Sequence, residues 1–264
     1  MQTFFKVNYL KFLLIFFIIA FASCQKDLKS TETNNALNAD KNVAGNTANA
    51  TPATSRVFST GLNHPRGLKF GPDGNLYVAE AGTGATATCR TQSSVDLQPP
   101  APRFSPFFGC PIGGRISKID AAGNRTTVVS NLPTSTAQDG GIFGPADVAF
   151  IDNALYVLQS GAGRGHGVPS INNGIYRINS DGTHTVIADL GSWSVAHPGA
   201  QPDADDYTPE GNWYSMTVAQ NNFYALEPNH GNFVKVGLDG SIQTVVDISA
   251  SEGHIVPTTV AYKG

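Results

Sequence analysis

The stretch His64-Pro-Arg-Gly-Leu-Lys-Phe-Gly-Pro-Asp-Gly-Asn-Leu-Tyr-Val-Ala-Glu80 decides the fold, because it is a strand, a turn and a strand that the chain uses again. An alternating apolar run meets a Gly-Pro-Asp-Gly turn and continues into a second run dense in β-formers. Its core, PRGLKFGPDGNLYV at 65–78, aligns with PADVAFIDNALYV at 145–157 and WYSMTVAQNNFYAL at 213–226, and its beginning returns as PTTVAY at 257–262. After each complete copy comes a second hairpin: GRISKIDAAGNRTTVVSNL at 114–132, GIYRINSDGTHTVIADL at 174–190 and NFVKVGLDGSIQTVVDI at 232–248. Four strands per unit make the blade of a β-propeller.

From Pro65 to Pro145, Trp213 and Pro257 the spacings are 80, 68 and 44 residues. The last is close to a bare blade, and the excess in the first two is loop insertion. The segment SRVFSTGL at 55–62 matches the final strands of the units yet precedes the first of them. Such a strand closes a propeller ring by completing its last blade. The expectation is therefore an all-β chain, with 55–264 a partial β-propeller domain: about three complete blades, one closing strand and one opening strand. A six-bladed, longer parent is expected, with a small assembly completed by another chain as the alternative.

Composition agrees. The chain of 264 residues is 41% hydrophobic and holds 28 Gly and 16 Pro, which favour short strands joined by turns. A net charge of −3 without a basic stripe excludes nucleic acid as a partner.

The first 54 residues lie apart from the repeats. Lys6 and Lys11 precede the apolar run FLLIFFIIAFAS, and Cys24 follows Ala22-Ser23. That is the layout of a bacterial lipoprotein signal peptide over 1–23, with Cys24 as the lipidated residue. Simple secretion or a retained anchor are the alternatives. Gln25-Lys26-Asp27 resembles the Lys/acidic surface-export signal of Bacteroidota lipoproteins. The expected location is the outer membrane, at the cell surface, with secretion or the periplasm as the alternative. Loss of 1–23 removes two lysines and no acids, so the mature charge becomes −5. Residues 24–54 then carry the lipid and a tether rich in Asn, Thr and Ala, with too little apolar surface to offset ordering and a reach of about 30 Å.

Cys89 and Cys110 share the first insertion, and their parity is right once Cys24 is committed to lipid. A disulfide is the favoured reading and two free thiols the other.

Candidate chemistry sits on the loops at one mouth of the ring. Glu80, Gln159 and Glu227 occupy equivalent positions after the second strands, and Gly67, Asp147, Ser215 and Thr259 occupy equivalent positions on the first strands, which line the channel of a propeller. Glu80, Asp147, Glu227 and Asn229 are the candidate ligands for Ca²⁺, the one cofactor the pattern offers. The competing reading is that repeats place polar groups at strand ends to satisfy backbone. His230 is the candidate general base; His166, His64 and His197 also lie in loops, where a histidine is more often solvated or bonded to backbone. GAGRGHG at 161–167 lacks the Lys-Ser/Thr of a phosphate loop, and DADDYTPE at 203–210 fits no EF-hand register. Trp193, Tyr207, Trp213 and Tyr214 border that acidic insertion and suit either a flat ligand or the core.

The series GLNHPRGLKFGPDGNLYVAEAGTG, a loop with two cysteines, GGRISKID, VVSNLP, GPADVAF and VPTTVAY resembles the ScyD/ScyE-type propellers, relatives of the NHL and senescence-marker propellers, from about residue 55 onward. The resemblance implies a six-bladed secreted propeller, of which this chain looks like a C-terminally truncated member, and brings no catalytic motif. Two functions follow as expectations: a surface-displayed binding or scaffold module for a small-molecule, glycan or protein ligand, or a calcium-dependent hydrolase or lactonase of the senescence-marker kind. Cells expressing the chain and fed an alkyne-tagged palmitate should label the wild type and lose the label in Cys24→Ser; an equally labelled variant would remove the lipoprotein assignment.

Overall fold

The computed structural model describes residues 55–94, 104–202 and 207–263. The expected signal peptide, Cys24 and the tether lie outside them, as do Asp203, Asp205 and Asp206 of the acidic insertion.

Three antiparallel sheets follow one another along the chain. The first contains β1 (Pro65–Phe70), β2 (Leu76–Glu80), β3 (Thr91–Gln92), β4 (Phe108–Ile119), β5 (Arg125–Thr136) and β6 (Ile142–Phe143). Its path is β1-β2-β4-β5-β6, with β3 added to β4. The second contains β7 (Pro145–Ile151), β8 (Ala154–Gln159), β9 (Gly174–Ile178) and β10 (His184–Asp189); the third contains β11 (Ser215–Ala219), β12 (Asn222–Glu227), β13 (Asn232–Val236) and β14 (Ile242–Asp247). Both are four-stranded meanders in sequence order. Strand β7 packs against β1 on one side and β11 on the other, so the first strands of the three repeats are neighbours. The repeats are sheets of an arc, arranged as blades are.

Period-two alternation explains why the second sheet is the core. On β8, Leu155 and Val157 pack with Ala79, Ile116, Val129 and Leu132 of the first sheet, whereas Tyr156 and Leu158 pack with Trp213, Met216, Phe223 and Val234 on the side of the third. The second sheet is therefore covered on both faces. The first sheet is not: Leu68 is 54% exposed and Phe70 75%.

Turn chemistry follows the residues. Gly74, Gly123, Gly182 and Gly240 each take a positive φ, and Asp73, Asp120, Asp181 and Asp239 each accept the backbone N–H two residues on. Where the repeat has no glycine, Asp152-Asn153 and Gln220-Asn221 make two-residue turns with positive φ at both positions.

Four features depart from the sequence reading. The hairpin expected at 114–132 extends to 108–136, because the insertion folds back through β3 and adds to its open end. Two short helices follow the last strands of the second and third sheets, α1 (Leu190–Ala196) and α2 (Ile248–Glu252), capped by Asp189 on the Ser192 N–H and Asp247 on the Ala250 N–H. Segment 55–62 forms no strand and leaves Val57 78% and Phe58 45% exposed; it pairs with no described strand and is tied to the first sheet by Arg115, which donates to the Gly61 carbonyl. Segment 257–262 also forms no strand. It does run beside β11, where the next repeat would begin, and Val260 N–H reaches Ser215 Oγ at 3.4 Å.

Cys89 and Cys110 are joined as a disulfide, with their Cα atoms 5.3 Å apart. It closes a 21-residue separation across the Pro-rich insertion. Chemical denaturation of Cys89→Ser/Cys110→Ser should show a loss of about 3 kcal/mol; an unchanged midpoint would mean that β3 and the insertion's other hydrogen bonds hold it without the disulfide.

Candidate functional site

The four equivalent first-strand positions do converge. Gly67, Asp147, Ser215 and Thr259 line one cavity of about 360 Å³ at the meeting of the three sheets, together with Arg66, Lys69 and Tyr214. Asp147 sets its geometry. Its Oδ1 accepts the Val148 N–H at 2.9 Å, and its Oδ2 accepts the Met216 N–H at 2.9 Å and the Ser215 hydroxyl at 3.3 Å. Lys69 Nζ stands 3.6 Å from the same Oδ2. Burial raises the pKa of this carboxyl, and the Met216 hydrogen bond and the Lys69 charge offset that only in part. Gly67 makes the approach possible, since a Cβ there would lie 2.1 Å from Asp147 Oδ1.

A second cavity of about 370 Å³ adjoins the first. Arg66 and Tyr214 border both, and Phe104, Asp139, Phe143, Asn212, Asn229 and Val256 complete its wall. Arg66 donates through Nη2 to the Ile142 carbonyl at 2.6 Å, and its guanidinium carbon lies 5.5 Å from the Phe143 ring centre and 5.4 Å from that of Tyr214. A side chain from the first sheet thus crosses to the third and divides the axial space into two chambers, a lower one (the cavity with Asp147) and an upper one (the cavity with Asn229).

The other equivalent set does something different. Glu80 is fully buried, accepting from Arg115 at 2.7 Å, from the Ser117 hydroxyl and from the Asn63 N–H. Burial would raise its pKa, but those donors and the Arg115 charge hold it below the ordinary carboxylate value. Glu227 accepts the Asn212 N–H at 2.6 Å and the His230 N–H, and Gln159 donates to the Pro133 carbonyl at 3.1 Å and to Ser160. Each ties the end of a second strand to neighbouring backbone. The four candidate calcium ligands do not share one centre: Asp147 is in the lower chamber, Asn229 in the upper, and Glu80 and Glu227 in separate networks. Among the described residues no group of three or more His, Cys, Asp or Glu side chains is placed to hold a metal ion.

The histidines are likewise engaged. His230 is fully buried, stacks on Tyr207 at 4.7 Å, and donates Nε2–H to the Thr208 carbonyl at 2.8 Å. His64 and His197 bond through Nδ1 to the carbonyls of Gly82 and Trp193. His166 lies between Phe107 and Phe143, with Nδ1 3.0 Å from the Ala162 carbonyl and Nε2 2.7 Å from the Asn212 side-chain amide. Burial drives its pKa down to about 4, so the ring is neutral at pH 7. A neutral ring that donates Nδ1–H to Ala162 has only a lone pair left at Nε2. The structure sets Asn212 Oδ1 against Nε2, so two acceptors face each other when the ring is neutral, and an amide turned end for end would donate its NH₂ to that lone pair.

The Gly-rich loop 161–167 is mortar between the second and third sheets. Glu210 accepts the Arg164 and Gly165 N–H groups, and Asn173 joins the Ala162 N–H to the Gly211 carbonyl. Glu210 is thus spent on backbone. Of the four aromatic candidates, Trp213 is in the core and packs against Trp193, Tyr207 covers His230, and Tyr214 reaches the chambers. Arg66, Asn212 and Phe143 were not singled out in the sequence. Arg66 had a usable signal, because it aligns with Tyr214 in the repeat.

No family model matches the sequence, and no curated protein matches it. Solved structures similar to it include a selenomethionine-substituted virginiamycin B lyase from Staphylococcus aureus, at 13% identity and a TM-score of 0.30, covering 75% of this chain and 73% of that one. A streptogramin B lyase follows at 14% and 0.29, with 68% of this chain matching 53% of that one. The PQQ-bound aldose sugar dehydrogenase from Streptomyces coelicolor is similar at 15% and 0.32, over 79% and 88%. The arc of sheets rests on its own strand pairing.

Because His166 binds its proton only near pH 4 when folded and near pH 6.5 when unfolded, its contribution is complete above about 6.5 and is lost as pH falls toward 4. Urea titrations at pH 7 and pH 4 should show the wild type losing about 3 kcal/mol more than His166→Gln. Parallel losses in the two proteins would mean that the ring is not held neutral.

Proposed function

We propose that this chain is a β-propeller binding module, displayed at the cell surface by a lipid on Cys24, whose axial chambers hold a small ligand. One observation carries the reading: four repeat-equivalent residues, Gly67, Asp147, Ser215 and Thr259, line a single cavity that Arg66 and Tyr214 extend into a second. Cavities of this size with apolar walls and a few convergent polar groups suit small-molecule recognition. The anchor and tether read from residues 1–54 support presentation away from a membrane.

Closure into a six-bladed ring belongs to the same proposal. Leu68 and Phe70 are exposed on the open face of the first sheet, and 257–262 lies unladdered beside the third, as surfaces that further sheets would cover. A calcium-dependent hydrolase is not supported, because the carboxylates of Glu80 and Glu227 are engaged with backbone amides and His230 is buried under Tyr207.

Saturation-transfer NMR on the full chain, against a panel of monosaccharides, amino acids and aromatic acids, should find binders that Tyr214→Ala abolishes and that the protein does not turn over. Silence across the panel, or binders indifferent to Tyr214, would contradict the module. A thermal midpoint raised by calcium would revive the hydrolase.

A further inference from the structure

We infer that the upper chamber takes a small aromatic monocarboxylate and that Arg66 is its anion receptor. This rests on the axial-cavity reading above and narrows it to a chemical class.

Arg66 is a partly buried cation held by neutral groups. Its fixed contacts are one backbone carbonyl, that of Ile142, and two ring faces, those of Phe143 and Tyr214. Among the described residues no carboxylate stands within ion-pair distance of it, whereas Arg115, Lys69 and Lys118 each have one. Rings fix the plane of a guanidinium without neutralising it. The N–H groups not spent on Ile142 remain at the junction of the chambers, in the forked geometry that matches a carboxylate with two parallel hydrogen bonds.

The two chambers differ in charge. Asp147 already places an anion in the lower one, paired with Lys69. A second anion there would meet repulsion. The upper chamber holds no buried carboxylate among its described lining residues; Asp139 is exposed at its rim, with Oδ1 accepting the Gly141 N–H at 2.9 Å. One cation facing one rim carboxylate favours a monoanion over a dianionic phosphate. The rest of the wall sets the remainder of the ligand: Phe104, Phe143, Tyr214 and Val256 offer apolar and aromatic surface for a ring.

Isothermal titration of the full chain with sodium benzoate, benzyl alcohol and inorganic phosphate tests this. Benzoate should bind about tenfold or more tightly than benzyl alcohol, and phosphate should bind more weakly than benzoate. Arg66→Gln should weaken benzoate by about tenfold or more and benzyl alcohol by much less, with Arg66→Lys in between for benzoate. Asp139→Asn keeps the Oδ1 acceptor, removes the rim charge, and should tighten benzoate by about twofold. Equal binding of benzoate and benzyl alcohol to the wild type, or tighter binding of phosphate, overturns the carboxylate assignment while leaving a binding module in place. Benzoate affinity unmoved by Arg66→Gln in a variant that keeps its thermal midpoint overturns the role of Arg66. No binding of any probe overturns the inference, and silence of the wider panel as well would take the module with it.

Discussion

One buried carboxylate joins the three repeats. Asp147 sits on the first strand of the middle sheet, accepts hydrogen bonds from the first strand of the third, and meets the lysine of the first strand of the first. A carboxylate buried without partners costs several kcal/mol, and here each oxygen is met by a backbone N–H. The raised pKa measures what burial still costs, and Gly67 provides the room that makes the contact possible. Two faces of the middle sheet pack against its neighbours, and the clip at the axis fixes where those neighbours stand.

The same economy governs the mouth of the arc. Glu80, Gln159 and Glu227 are polar because the backbone entering each first strand needs partners, and His166, Asn173 and Glu210 bind loops of the second sheet to those of the third. Residues that look like a catalytic inventory are consumed in holding sheets together. Arg66, which meets no carboxylate among the described residues, borders both chambers, and the functional reading rests on these chambers rather than on the carboxylates.

Much of this was legible in the sequence. The repeat of PRGLKF in PADVAF, WYSMTV and PTTVAY placed Gly67, Asp147, Ser215 and Thr259 in register, and the structure brings all four to one cavity. The helices α1 and α2 were legible in principle, from Asp189 and Asp247 with serine or alanine three residues on, but strand periodicity masked them. The fate of 55–62 was not. A strand needs a partner edge as well as a pattern, and alternation in SRVFSTGL says nothing of whether an edge is present. Nor was the site: that Arg66 would lie between Phe143 and Tyr214 depends on residues 77 and 148 positions away meeting at the axis.

The most direct test of this architecture is hydrogen exchange at the Met216 amide, because its bond to Asp147 crosses from one sheet to the next and belongs to no ladder of its own sheet. The account predicts protection in the wild type, and exchange faster by about tenfold or more in Asp147→Ala while the amides pairing β12 with β13 keep their rates. A Met216 amide that exchanges freely in the wild type would contradict a shared axis for the three sheets.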